Sequence, residues 1–118
     1  MGQALDGVFT AAGRVPDLLL SGHVHDYQRF TRTLSGKQVP YIVSGNGGYH
    51  NLHQLAPGAS AGEEVGPGVV FEFGDDTQYG FLKLTVAGGV ISGEYVGAKP
   101  GVMPDGSDAV VTPKVDTF

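Results

Sequence analysis

Glycine punctuates this chain so densely that a long helix has nowhere to run. Twenty of the 118 residues are Gly, about 17% against a usual ~7%. They follow no collagen-like period, so the excess reads as tight turns and close backbone approaches. Between the glycines lie short β-prone runs at 27–33, 38–44, 69–73, 81–86 and 90–96. The first two are joined by Leu34-Ser35-Gly36-Lys37 and the last two by Ala87-Gly88-Gly89, so each pair is expected to form a hairpin. Asp75-Asp76-Thr77-Gln78 reads as a turn.

Only the beginning of the chain has a helical period. Leu5, Val8, Phe9 and Ala12 fall on one stripe, and Gly13 and Pro16 follow, predicting a helix over 3–12. The run 17–21, bounded by Pro16 and Gly22, is expected to be a strand buried on both faces. A helix leading into a buried strand is an α/β signature, so the fold class is α/β but predominantly β. The stretch 45–68 is Gly/Pro-rich and poorly periodic, and loops of that length tend to be functional or disordered. Residues 99–108 read as another loop and 109–118 as a last strand, which Pro113 would confine to a sheet edge.

Composition excludes several classes of function. Seven Lys and Arg against twelve Asp and Glu give a net charge of −5, and the basic residues are scattered, so nucleic acid is not an expected partner. With no cysteine, disulfides, thiolate metal sites and a Cys nucleophile are ruled out. The apolar run near Leu18 to Leu20 is too short to span a bilayer, and no segment reads as membrane-targeting.

One constellation carries chemistry: Gly22-His23-Val24-His25-Asp26-Tyr27-Gln28-Arg29, at the end of the expected buried strand. On an extended backbone residues i and i+2 share a face, so His23 and His25 would project side by side, each able to hold one ion of a pair. Asp26 is a candidate outer-shell carboxylate that orients a ring by accepting its second N–H. Tyr27 and Arg29 are candidates for the pocket rim, and equally for a β pair packing an edge. In the long loop, His50 and His53 are candidates for contact with substrate phosphate, against the favoured reading of both as exposed loop residues, and Asn46, Tyr49 and His50 are the better candidates of the group.

Residues 17–29 resemble the last metal motif of the calcineurin-like metallophosphoesterases, within them the purple acid phosphatase branch, where Gly-His-x-His precedes an aromatic and a basic residue. Val39 to Gly48 is similar to that family's strand and Gly-Gly loop, and Tyr79 to Val86 to a late strand. The likeness covers roughly 5–96. It implies the C-terminal half of a metallophosphoesterase-type β-sandwich with one N-terminal helix. It also implies a binuclear centre of Fe, Zn or Mn, with His23 on one ion and His25 on the other, that hydrolyses a phosphate ester. The family's Asp-x-His, Gly-Asp and Asn-His motifs and a further His do not occur among the 22 residues before His23. Gly74-Asp75 lies downstream, in the wrong order, and Gly45-Asn46 is followed by Gly47.

Residues 1–118 are thus expected to be a single partial domain, inactive alone and holding metal weakly. The missing N-terminal half would be its partner. Exposed strand edges would favour homo-oligomers. The competing expectation is a non-catalytic, β-rich binding or assembly module of the same ancestry.

Overall fold

The computed structural model describes residues 2–98 and 115–118, with side chains from residue 4 onward. The described residues form one helix, α1 (Gly2–Ala12), and eight strands: β1 (Leu19–Ser21), β2 (Tyr27–Leu34), β3 (Lys37–Ser44), β4 (Glu63–Gly66), β5 (Val69–Asp75), β6 (Tyr79–Ala87), β7 (Val90–Ala98) and β8 (Val115–Thr117). The molecule is predominantly β, as its glycine punctuation requires. The expected loop 99–108 and the first part of the expected last strand, with Pro113, lie outside the described residues.

The strands make two sheets. The larger has the order β1-β3-β2-β5-β4 and the smaller β6-β7-β8. Only β1 and β3 run parallel; every other pair is antiparallel. Both expected hairpins form. Ser35 and Gly36 take φ of 50° and 77°, and Gly88 and Gly89 take 57° and 76°. Two consecutive positive-φ residues are what a two-residue hairpin loop needs to match strand twist.

Two expectations give way. Strand β1 is not buried on both faces: it pairs with β3 alone, stands at the sheet edge, and leaves Leu20 51% exposed. The strand forms over the last part of the apolar run, and among the described residues no second strand pairs with it. The long loop also contains a strand, β4, which pairs with β5 across a bulge at Glu64/Gly66. Glu63-Glu64-Val65-Gly66 has little β propensity; backbone pairing with β5 makes it a strand.

The sheets meet on aromatic rings. Tyr27 of β2 stacks on Tyr95 of β7 with centroids 3.8 Å apart and planes 7° from parallel. Both are fully buried beside Ile42, with Leu18, Phe73, Leu82 and Phe118 packed around them. A polar network seals one side of the stack. Asn46 Nδ2 donates to the Tyr95 hydroxyl at 2.8 Å, and that hydroxyl donates to Asp75 Oδ2 at 2.8 Å. Asp75 Oδ1 accepts from the Thr77 amide and hydroxyl, which makes the expected turn.

Strand β8 fastens the other side. It pairs with β7, and its Asp116 accepts from the Tyr27 hydroxyl at 3.0 Å and from Arg29 through two bonds of 2.7 and 2.8 Å. A bidentate guanidinium–carboxylate pair with little solvent contact is the strong kind of ion pair. Phe118 completes the clamp, with the Arg29 guanidinium 5.5 Å from its ring centre.

Elsewhere apolar surface stays open. Helix α1 is tied to β2 by Arg32 and Asp6 at 2.5 Å, over an apolar cavity of about 660 Å³. Of its apolar stripe, Leu5 and Phe9 are half-buried, whereas Val8 is exposed. A second hollow of about 560 Å³ lies between β1 and β6, the edge strands of the two sheets among the described residues, lined by Leu20, Gly22, Phe81, Leu82 and Leu84 among others.

Candidate functional site

The site is built where β1 ends and β3 passes beside it. The two parallel strands place Ser21 opposite Val43. The chain then leaves β1 through Gly22 and turns back within five residues to begin β2. That reversal is too sharp for an extended backbone. His23 takes φ of 77°, and the Asp26 amide donates to the Val24 carbonyl at 2.9 Å, closing a one-residue turn around His25. The side-by-side argument for His23 and His25 therefore fails in its premise: the two histidines sit on a turn, and strand alternation does not set their directions.

Gly45 holds the turn against β3. Its amide donates to the Asp26 carbonyl at 3.0 Å, and a Cβ at this position would lie 1.9 Å from the Val24 carbonyl oxygen. No side chain fits there. The glycine in Ser44-Gly45-Asn46 thus fixes how closely the histidine turn seats on the sheet.

The loop after β3 folds over His25. His25 Nδ1 lies 2.8 Å from the Asn51 carbonyl oxygen, which can only accept, so Nδ1 carries the proton. In the neutral ring the lone pair is then on Nε2. His53 closes on the same residue from both sides of the main chain. Its amide donates to the His25 carbonyl at 3.0 Å, and its Nδ1 accepts from the His25 amide at 3.2 Å. The two imidazoles stack with centroids 4.4 Å apart and 18° between planes. The Tyr49 ring flanks His25 at 4.6 Å, and the His50 ring lies 4.4 Å from that of Tyr49. His23 is exposed and His25 half-buried.

Asp26 does not take the role expected of it. The carboxylate is fully buried, and its Oδ2 accepts from Gln28 Nε2 at 2.8 Å. The oxygen that orients the His25 ring belongs instead to Asn51. Asp26 Oδ1 is buried without a hydrogen-bond partner. Burial raises the Asp26 carboxyl above the ordinary carboxylate range, against the Gln28 bond and the nearby His53 and His25, which act to lower it.

Three other expected site residues lie inside the protein. Tyr27 is core, not rim, and burial with the neighbouring Asp116 pushes its phenol far above the usual range. Arg29 is held by Asp116, whose hydrogen bonds raise the guanidinium further. Asn46 is fully buried, with Nδ2 shared between the Gln78 carbonyl and the Tyr95 hydroxyl. The Tyr49 ring lies beside His25, and His50 reaches the turn only through Tyr49. His53, ranked below Asn46, Tyr49 and His50 from the sequence, makes the fullest contact with the turn; the signal was weak, one of two histidines within an aperiodic loop, 28 positions from its partner.

Among the described residues no three His, Cys, Asp or Glu side chains converge on one point. His25 presents Nε2 as the ring nitrogen not used in its bond to Asn51, and His23 lies two residues away. Comparison with protein-family models, curated proteins and solved structures returned no match.

Proposed function

We propose that this chain is one part of a two-metal phosphoesterase, to which it contributes His23 and His25 as ligands to the two ions. The observation that carries the reading is the hydrogen bond from His25 Nδ1 to the Asn51 carbonyl. Metal-bound histidines commonly donate their other ring N–H to a backbone carbonyl or carboxylate, which fixes the tautomer and presents the second nitrogen as a lone pair. Here that arrangement exists on the histidine that the Gly-His-x-His resemblance assigns to a metal. Two further features support it. His23 holds a left-handed backbone, which costs roughly 1–2 kcal/mol for a residue with a Cβ and gathers at functional sites. Asp26 Oδ1 is an unpaired acceptor buried within electrostatic reach of His25 and His53, a setting that favours a nearby cation.

Imidazole ligands suit Fe, Zn and Mn alike. Bound ions would supply a hydroxide at neutral pH and polarise the phosphoryl oxygens. The work of this chain is to orient His25 through Asn51 and His53 and to seat the turn on β3 through Gly45. The remaining ligands come, in this reading, from a segment bearing the Asp-x-His, Gly-Asp and Asn-His motifs, docked along the open edge of β1.

The test is complementation. Mixed with a polypeptide carrying those motifs, the chain should hydrolyse a chromogenic phosphate ester when Mn²⁺ or Zn²⁺ is added. His25→Ala should lower the rate by more than the ten- to hundredfold that an outer-shell partner carries. The second reading, a non-catalytic binding or assembly module of the same ancestry, is favoured by the exposed Leu20 and Phe81. It predicts a complex without turnover.

A further inference from the structure

We propose that the cavity beneath helix α1 is a binding site for a small apolar alcohol or phenol, separate from the histidine turn and independent of the phosphoesterase reading. Its volume of about 660 Å³ falls within the ~300–1,000 Å³ that small-molecule sites occupy. Helix α1 contributes Leu5 to the lining, and four strands of the larger sheet contribute Leu19, Phe30, Val43 and Val69. Asp6, Arg32 and Tyr41 line it as well. Arg32 gathers the other two: its Nη2 donates to Asp6 Oδ2 at 2.5 Å, and its guanidinium carbon lies 5.5 Å from the centre of the Tyr41 ring.

The hydrogen bonds this group leaves unmade select the ligand. Asp6 Oδ1 and the Tyr41 hydroxyl are buried without a hydrogen-bond partner among the described residues. Arg32 acts on that hydroxyl, but a guanidinium only donates, so it gives the phenolic hydrogen no acceptor. Buried polar atoms left unpaired cost stability, and those in native proteins commonly mark a place for a water or a ligand. Asp6 Oδ1 needs a donor and the Tyr41 hydrogen an acceptor. One ligand hydroxyl supplies both. A carboxylate would bring no hydrogen for Asp6 and a second negative charge, and an ammonium would bring no lone pair for Tyr41. A water could bridge the two oxygens, yet it would leave the apolar walls unfilled. A hydroxyl on a hydrocarbon body meets both demands.

The test titrates the 118-residue chain with two aromatic probes of similar size, 2-naphthol and naphthalene. 2-Naphthol should bind about tenfold more tightly, the size of one hydrogen bond to a charged group, with methyl resonances moving at Leu5, Leu19, Val43 and Val69. Tyr41→Phe keeps the ring and removes the unpaired hydroxyl. It should weaken 2-naphthol binding about fivefold, with naphthalene affinity and the fold unchanged. Leu20→Lys, in the second hollow, should alter neither affinity. Equal affinity for the two probes, or a preference that survives Tyr41→Phe, overturns the proposal. So does 2-naphthol binding that Leu20→Lys abolishes, which would place the probe in the other hollow.

Discussion

His23 is the residue whose backbone is least comfortable. At φ of 77° it occupies a region that suits glycine, and the strain serves no packing purpose, because the side chain is exposed. His23→Gly is therefore expected to stabilise the isolated chain by a few tenths to about 1 kcal/mol in urea unfolding, while weakening Zn²⁺ binding. A stability loss would mean that the His23 side chain makes stabilising contacts in the folded chain. Gly45→Ala should do the reverse. The Val24 carbonyl cannot stay where a Cβ needs to be, so the turn must lift from β3, at a cost of about 2 kcal/mol or more and with loss of the His25 Nδ1–H signature. The two buried phenols set the alkaline limit. Tyr27 and Tyr95 titrate far above their ordinary value of 10.0 in the folded state, chiefly through burial, then through Asp116 and Asp75 respectively. The unfolded chain loses these protons first, so stability is complete below pH ~10 and falls above it by up to ~1.4 kcal/mol per pH unit for each phenol. The Tyr27→Phe, Tyr95→Phe double variant should show a shallower alkaline limb; an unchanged limb would contradict the assignment.

At the scale of elements, the sequence disclosed what local chemistry decides and hid what pairing decides. Helix α1 followed from its stripe and from Gly13. Both hairpins followed from Ser35-Gly36 and Gly88-Gly89, whose positive φ is local turn chemistry. Strand β4 was hidden because Glu63 and Glu64 gain β structure only by lying against β5. The histidine pair was visible as a motif, but the turn that carries it was not. A positive-φ histidine and a glycine without room for a Cβ are consequences of how β1 and β3 lie together. Nor could the sequence show that Asp116 reaches back 87 and 89 positions to Arg29 and Tyr27. That clamp gives the element-scale prediction. Arg29→Met leaves a buried carboxylate with only the Tyr27 hydroxyl, and should destabilise by about 3–5 kcal/mol. If denaturant unfolding shows less than 1 kcal/mol, β8 is not what joins the sheets.

At the scale of the whole molecule, the two sheets share a small aromatic core while apolar surface stays open around them. Leu20 is 51% and Phe81 56% exposed on either side of the hollow between β1 and β6. A strand that is an edge among the described residues, beside an apolar hollow, invites pairing. Sedimentation should show concentration-dependent association that Leu20→Lys reduces; a monomer unchanged over the range would argue that the edge is inert. The same open edge is where the phosphoesterase reading docks the segment with the remaining ligands, so the whole account turns on the histidines beside it. Anomalous diffraction at the zinc edge from crystals soaked in Zn²⁺ tests it most directly. A peak roughly 2.0–2.1 Å from His25 Nε2, lost in His25→Ala, is the predicted result. Zinc bound only at His50 or His53, or through His25 Nδ1 with the Asn51 bond broken, would contradict it.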